Sequence, residues 1–188
     1  YKVKDTAANL AGADASLLNG QTIIINDTAT AATTSELNTI QTSMGTGSVT
    51  YTKLSGTAAL LVTNKADIVS GVTATAVETG AASTLSTIAQ INALQEQATS
   101  AGGSASYVYT KVNDESANIV ANVDGSGNVL DISGKTVTVT TASNVSNNGK
   151  MLSGAGGGSV AGAVVDTAAN LASGVTLTGA TSVTAEIS

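Results

Sequence analysis

The residues able to do chemistry in this chain are few, and their types point away from catalysis. The 188-residue sequence contains no histidine and no cysteine, so the usual pairs of nucleophile and base are absent. Serine and lysine are present, but no spacing brings one particular serine next to one particular lysine. We therefore predict that the protein is not an enzyme.

Three aspartates recur at equivalent positions of a repeated phrase. Asp5 and Asp166 begin the sequence DTAANL, Asp114 begins the looser copy DESANI, and Gly56 takes this position in a degenerate copy. A column of such carboxylates would offer Ca²⁺ the hard oxygen ligands that it prefers. The alternative is that these residues cap short helices, with either Asp5 or Thr6 as the N-cap of the first, which needs no metal. The adjacent Thr-Ala-Ala favours capping.

Asn9, Asn118 and Asn170 recur with the same spacing from these aspartates. Stacked asparagines in repeat proteins bond to one another and to the amides of buried turns. We therefore predict a structural ladder of asparagine side chains at these positions.

One further segment spaces oxygen-bearing side chains at every second residue. It contains Asp124, Ser126 and Asn128, with Asp131 after them. This resembles the start of a calcium loop, although the distal bidentate glutamate is missing. The segment therefore predicts either a calcium site or a solvated tight turn. No other cofactor is expected.

A 51-residue period organises the elements that position these residues. Residues 15–20 fall on residues 66–71 after this shift, and residues 32–40 fall on 83–91. A glycine opens each strand of alternating β-branched residues, at Gly20, Gly71, Gly134 and Gly174. Short helices follow the first two strands, with N-caps predicted at Ser35 and Ser83.

The period predicts a repeat solenoid, because a unit of this size buries its apolar face only against its neighbours. We expect a right-handed parallel β-solenoid whose coils are closed by short helices, and by loops toward the C-terminus, with leucine-rich-repeat-like β/α coils. One continuous stack would contain four blocks: 1–51, 52–106, an insertion-bearing 107–158, and a compressed 159–188.

Composition limits the partners of the chain. The net charge is −6 and the seven basic residues, all lysines, are scattered, which argues against nucleic acid. No apolar run reaches the ~20 residues of a membrane-spanning helix. Because the chain begins at Tyr1 and neither end carries a polar cap, we expect a piece of a longer protein. Its partners would be further repeats of that chain or other copies of itself.

The repeated DTAANL at 5–10 and 166–171, with GQTIIINDTA at 20–29 and SELNTI at 35–40, resembles repeats in very large secreted or surface-attached bacterial proteins. Similar stretches occur in phage fibre-like proteins. The resemblance implies an extracellular, calcium-rich setting and a structural or adhesive role. It implies no catalytic residues.

Three functions follow as expectations. The first is a non-catalytic structural segment of an extracellular bacterial filament, surface layer or giant adhesin that assembles by stacking. The second is a segment of a phage tail fibre or other virion appendage. The third is an ice- or glycan-binding module, for which the threonines of 73–77 and 136–141 would form the ice-binding array.

Overall fold

The computed structural model describes residues 1–123, 131–173 and 176–186. These residues form two compact units, one made of Tyr1–Val77 and Ala93–Val108, the other of Glu78–Asn92 and Tyr109–Ser188. The four sequence blocks describe the repeat in the sequence, and their boundaries stay a prediction.

Short strands and helices alternate along the chain. The strands are β1 (Lys2–Asp5), β2 (Thr22–Ile25), β3 (Ala32–Thr33), β4 (Ser48–Thr50), β5 (Lys53–Gly56), β6 (Thr73–Ala76), β7 (Ser106–Val108), β8 (Lys111–Asp114), β9 (Thr136–Val139), β10 (Ser159–Thr167) and β11 (Ala180–Glu186). The helices are α1 (Ala7–Ala11), α2 (Ala15–Leu18), α3 (Thr34–Met44), α4 (Ala58–Thr63), α5 (Ile88–Ala101), α6 (Ser116–Val123), α7 (Val145–Ala155) and α8 (Ala168–Leu171). Single 3-10 turns cover Lys65–Asp67 and Ala82–Thr84.

The prediction of one continuous β-solenoid is wrong. The described residues form α/β structure with eight helices and three separate parallel sheets. The strand orders are β1-β2-β4, β3-β5-β6-β7 and β11-β10-β9-β8. The first two sheets belong to the first unit and the third to the second unit.

A turn inside the repeat explains why the sheets are separate. Tyr51 and Thr52 interrupt the extended chain between β4, which pairs with β2, and β5, which pairs with β3 and β6. The two strands on either side of this turn therefore contribute to different sheets. A sequence period shows that a unit recurs, but it does not show whether successive strands join one ladder.

Apolar side chains in register form the core of the first unit. Ile23 pairs with Val3 and Val49 in one sheet, and Leu54 pairs with Ala74 in the other. Helix α3 adds Leu37 and Ile40, which are completely buried. Fully buried residues alternate with less buried ones in β2 and β5, as the period-two pattern of the sequence predicts.

The second unit is built in the same way. Val137 of β9 pairs with Val112 of β8 and with Val160 of β10, and all three are buried. Helix α7 packs on β10 through its buried side chains, including Met151. The sequence predicted loops here, because residues 143–158 are rich in Gly and Asn. Instead Asn144 caps an eleven-residue helix by accepting a bond from the Asn147 N–H.

The helix caps lie close to, but not at, the predicted serines. Helix α3 begins after Thr33, whose hydroxyl accepts from the Glu36 N–H while the Glu36 carboxylate accepts from the Thr33 N–H. Thr87 and Gln90 make the same reciprocal pair before α5. Both are capping boxes, in which two free amides are satisfied at once.

Three of the four predicted glycines adopt left-handed backbone, and each lies two residues before the first residue of a strand. The φ angles of Gly20, Gly71 and Gly134 are +68°, +83° and +69°. Gly174 lies outside the described residues. Left-handed backbone disfavours any residue with a Cβ, which explains why glycine recurs at these positions.

Gly71→Ala should lower the free energy of unfolding by about 1 kcal/mol, because alanine resists φ of +83°. Gly149→Ala is a matched control, since an added Cβ meets nothing within 4 Å at either position. Gly149 lies inside α7, where alanine should stabilise by about 1 kcal/mol. Denaturant unfolding of both variants measures the two values. Equal changes in the free energy of unfolding for the two variants would contradict a strained backbone at residue 71.

Candidate functional site

A carboxylate joins two successive strand segments in the first unit. Asp27 follows β2, and its carboxylate accepts hydrogen bonds from the Thr52 N–H (2.5 Å), the Lys53 N–H (2.7 Å) and the Thr52 hydroxyl (2.9 Å). The Lys53 ammonium donates to the Thr28 carbonyl at 3.0 Å. We call this arrangement of an acidic side chain on a Thr-Lys pair the carboxylate clamp. It holds the turn that separates the first two sheets.

The second unit contains the same clamp with a glutamate. Glu78 follows β6 and accepts from the Thr110 N–H (3.0 Å), the Lys111 N–H (3.0 Å) and the Thr110 hydroxyl (2.5 Å). The Lys111 ammonium lies 3.4 Å from the Glu78 carbonyl. Although the side chain is one methylene longer, it satisfies the same three donors. The carboxylate clamp therefore occurs twice in the chain, once in each unit.

Burial and hydrogen bonding act on Asp27 in opposite directions. The residue is only 6% exposed, and this burial by itself raises the pKa of the carboxyl. The bonds from the Thr52 and Lys53 amides and from the Thr52 hydroxyl outweigh it, so the pKa lies below its ordinary value of 3.8. The clamp therefore depends on the ionised carboxylate.

The three recurring aspartates form a second repeated contact. Oδ1 of Asp5 accepts from the Thr6 N–H (2.7 Å) and from the side-chain amide of Asn9 (2.8 Å). Asp114 bonds Glu115 and Asn118 in the same way, and Asp166 bonds Thr167 and Asn170. In α1 and α8 the N-cap is the following threonine, so the aspartate stands one residue before the cap.

The second carboxylate oxygen separates these aspartates into two groups. Oδ2 of Asp114 accepts from the Ile88 N–H at 2.8 Å, and Oδ2 of Asp166 accepts from the Val145 N–H at 3.0 Å. Ile88 and Val145 are the first residues of α5 and α7. Among the described residues, no donor contacts Oδ2 of Asp5.

The structure places the predicted asparagines on these aspartates, within their own segments. Two other pairs bond between helices instead. The Asn38 side chain donates to Asn64 (3.1 Å), which donates to the Leu60 carbonyl (2.8 Å). Asn92, Asn122 and the Asn118 carbonyl form the same relay, at 3.2 and 2.8 Å. The 51-residue shift does not reveal these relays, because it places Asn38 on Ala89 and Asn64 on Glu115.

Most of the predicted calcium loop lies outside the described residues, namely Asp124, Ser126 and Asn128. Asp131 is described, and its carboxylate accepts from the Ser133 N–H at 2.9 Å. Its carbonyl accepts from the Tyr109 hydroxyl at 3.0 Å. Within the described ranges, no group of three or more acidic side chains is placed to hold a metal ion. The calcium site stays a prediction.

Tyr51 and Tyr109 occupy equivalent positions and bind equivalent acceptors. The Tyr51 hydroxyl donates to the Asp67 carbonyl at 2.6 Å, as Tyr109 donates to Asp131. Burial, with the nearby Asp67 charge, raises the pKa of the Tyr51 phenol well above its ordinary value. The Lys135 ammonium lies 5.0 Å from the centre of the Tyr109 ring. Both tyrosines are thus engaged by their own units.

Sequence reasoning missed Asp27 and Glu78, although a signal for them was present. The 51-residue shift places the acidic residue of IIIND at 27 on the acidic residue of TATAVE at 78. The segments VTYTKL and YVYTKV, which hold the Thr-Lys partners, also match one another. When an acid and its partner recur together in this way, the sequence predicts a contact between the two segments that contain them.

Comparisons of the chain with family models, with curated proteins and with solved structures found no match. In the part of the chain that the structure describes, no helix is long and apolar enough to cross a membrane. The function must therefore be argued from the repeated contacts themselves.

Asp27→Asn should lower the free energy of unfolding by about 1–3 kcal/mol, because the carboxylate accepts three hydrogen bonds and the amide replaces one of its two acceptor oxygens by a donor. Asp14→Asn is a suitable control. Asp14 is exposed and caps α2 through the Ser16 N–H, and asparagine caps as well as aspartate. Urea unfolding at pH 7 compares the two variants. Similar losses in both would argue against the clamp.

The clamp should also make stability depend on pH. A carboxyl whose pKa is lowered by folding stabilises the protein above its unfolded pKa, and this contribution is lost as the pH falls below 3.8 toward the folded value. Asp5, Asp14 and Asp166 have lowered pKa values as well. The difference between wild type and Asp27→Asn, measured from pH 6 to acid, isolates Asp27. It should shrink as the pH falls.

Ser116→Ala should stabilise the protein by about 1 kcal/mol, because the buried Ser116 hydroxyl has no hydrogen-bond partner in the described structure. Alanine occupies the equivalent positions, Ala7 and Ala58, and is buried there. The reverse change, Ala58→Ser, should destabilise. Thermal unfolding of both variants checks the pair, and a loss of stability in Ser116→Ala would contradict the equivalence.

Proposed function

We propose that this chain is a non-catalytic structural segment of an extracellular bacterial filament, surface layer or giant adhesin, which associates with further units of its own kind. The observation that carries this proposal is the carboxylate clamp, formed once by Asp27 and again by Glu78. In each case the recurring acid holds the next strand segment of the same chain, within one compact unit.

The hydrogen-bonding capacity of these acids supports a mechanical role. Both oxygens of Asp27 and of Glu78 accept from the backbone or hydroxyl of the next strand segment. Side chains bonded in this way resist separation of the two strand segments that they join, because several hydrogen bonds would have to break together. The hydrogen bonds Asn38–Asn64 and Asn92–Asn122 likewise join helical segments that are distant in the sequence.

Two strands support association with further units. Among the described strands, β1 pairs with β2 alone and β11 pairs with β10 alone. Every residue of β11 after Ala180 is exposed, and the Val183 side chain is 48% exposed. An edge of this kind offers unpaired backbone groups to another strand. Pairing of such edges with strands of further units would build a structural assembly.

The ice- and glycan-binding alternatives receive less support from the geometry. Thr136 of β9 lies in register with Lys111 on one side and Ser159 on the other, so its row is not a row of threonines. The hydroxyls of Tyr51 and Tyr109 are bonded within their own units. A virion appendage would use the same contacts as a bacterial filament, so this alternative stays a prediction.

The purified chain should form oligomers that grow with concentration in sedimentation velocity, with elongated particles in negative-stain images. Val183→Lys should reduce association, because a lysine on an edge strand opposes pairing with another strand. Leu60→Lys is the control: its side chain is 50% exposed on helix α4, away from a strand edge. A monodisperse monomer at every concentration would argue against the proposal.

A further inference from the structure

A three-residue segment in the second unit covers the edge of β8 through main-chain bonds. The Ser86 carbonyl accepts from the Asn113 N–H at 2.9 Å. Two residues later, the Ile88 N–H donates to Oδ2 of Asp114 at 2.8 Å. One end of the segment is thus bound by the strand backbone and the other by the aspartate. Helix α5 begins at Ile88.

The same contacts recur at β10. The Ser143 carbonyl accepts from the Val165 N–H at 2.9 Å, and the Val145 N–H donates to Oδ2 of Asp166 at 3.0 Å. The Ser143 N–H also donates to the Ala163 carbonyl at 2.9 Å. Both segments read Ser-X-Ile or Ser-X-Val, and both lead into a helix.

Strand β1 carries the residues that receive such a segment, in the same order. Asp5 corresponds to Asp114 and Asp166 by its bonds to the next residue and to Asn9, so Lys4 corresponds to Asn113 and Val165. The carbonyls of Tyr1 and Asp5 accept from Thr22 and Asn26. Because backbone groups of a parallel strand alternate in direction, the Lys4 N–H points away from β2.

This edge is open in the described structure. Lys4 and Asp5 are exposed, and no described donor contacts Oδ2 of Asp5. The edge therefore presents a free N–H and, one residue later, a free carboxylate oxygen. These are the two groups that bind Ser86 and Ile88, or Ser143 and Val145, in the second unit.

We propose that the open edge of β1 is a docking site for the Ser-X-Ile/Val segment at the start of a helix in a neighbouring repeat unit of this type. The Lys4 N–H binds the serine carbonyl, and Oδ2 of Asp5 binds the amide of the isoleucine or valine. This rests on the proposed function, and it names the chemical group that the partner presents.

The fourth copy of the strand shows why the aspartate selects such a segment. Gly56 takes the place of the aspartate in β5, and the covering segment there is Ala32-Thr33-Thr34. A Cβ at Gly56 would lie 3.2 Å from Cγ2 of Thr34, so this threonine fills the space of the missing carboxylate. An edge with an aspartate at this position instead offers a carboxylate oxygen to the main-chain N–H of the covering residue, as Asp114 and Asp166 do.

A peptide of residues 78–92 is the probe, because this segment covers the equivalent edge of β8. It is added to the full ¹⁵N-labelled chain, and the amide resonances of Lys4 and Asp5 are followed by NMR. We expect saturable shifts of these two amides with a dissociation constant on the order of 1 mM, as for a few main-chain bonds.

Two matched changes test the assigned bonds. The Ile88→Pro peptide lacks the N–H that reaches Asp5, although proline is well tolerated at the first residue of a helix. In the protein, Asp5→Asn keeps the oxygen that bonds Thr6 and Asn9 and replaces Oδ2 by a donor. Each change should weaken binding about tenfold or more, the ratio for one bond to a charged group.

Each other outcome is decisive. Shifts at Asn113 and Asp114 in place of Lys4 and Asp5 would show that the peptide only exchanges with its own segment, and would overturn the inference. Equal binding by the Ile88→Pro peptide would do the same. No saturable shift in a chain that still forms oligomers would overturn this docking site but not the proposed function. Binding at Lys4 by a chain that stays monomeric would retain the site and contradict the assembly.

Discussion

The fold depends on how amide groups are satisfied where the chain leaves one strand and enters the next. In a parallel sheet each such exit leaves N–H groups outside the ladder, and a hydrogen bond from such a group to a charged acceptor contributes about 1.5–3 kcal/mol. Asp27 and Glu78 solve this at two equivalent turns, each with three accepted bonds. The Asp27 clamp binds the turn between β4 and β5, which pair in different sheets, so this carboxylate stabilises the place where the chain passes from one sheet to the next.

The parts of the fold that sequence predicts well are those that a single segment determines. Glycine is needed at Gly20, Gly71 and Gly134 because their φ angles are positive, and the alternation in 136–139 shows which side chains of β9 are buried. The pairing of strands that are distant in the sequence has no such local signal. The continuous stack was wrong because the Tyr51-Thr52 turn divides strands that the 51-residue period treats as one series. The sequence did not predict helix α7, because its Gly and Asn residues have poor helix propensity. The Asn144 cap and the burial of Met151 stabilise the helix in spite of this.

For the candidate site, repetition in the sequence was informative but incomplete. The phrase DTAANL located Asp5 and Asp166 and the helices after them, and the bonds to Asn9 and Asn170 are local contacts. The partners of the second carboxylate oxygen lie 21 and 26 residues away, so no short motif contains both members. Such pairs are found from sequence only when the acid and its distant partner recur together.

Aspartate suits this position because one side chain must serve two separate acceptor roles. In Asp114, Oδ1 holds the start of its own helix through Glu115 and Asn118, while Oδ2 holds the start of the helix before it. Serine and threonine offer one oxygen, and asparagine would present a donor where an N–H arrives. A carboxylate at the end of a strand therefore couples two successive helices in a single residue. At Asp5 the first oxygen makes the same bonds, to Thr6 and Asn9, and no described donor contacts the second oxygen.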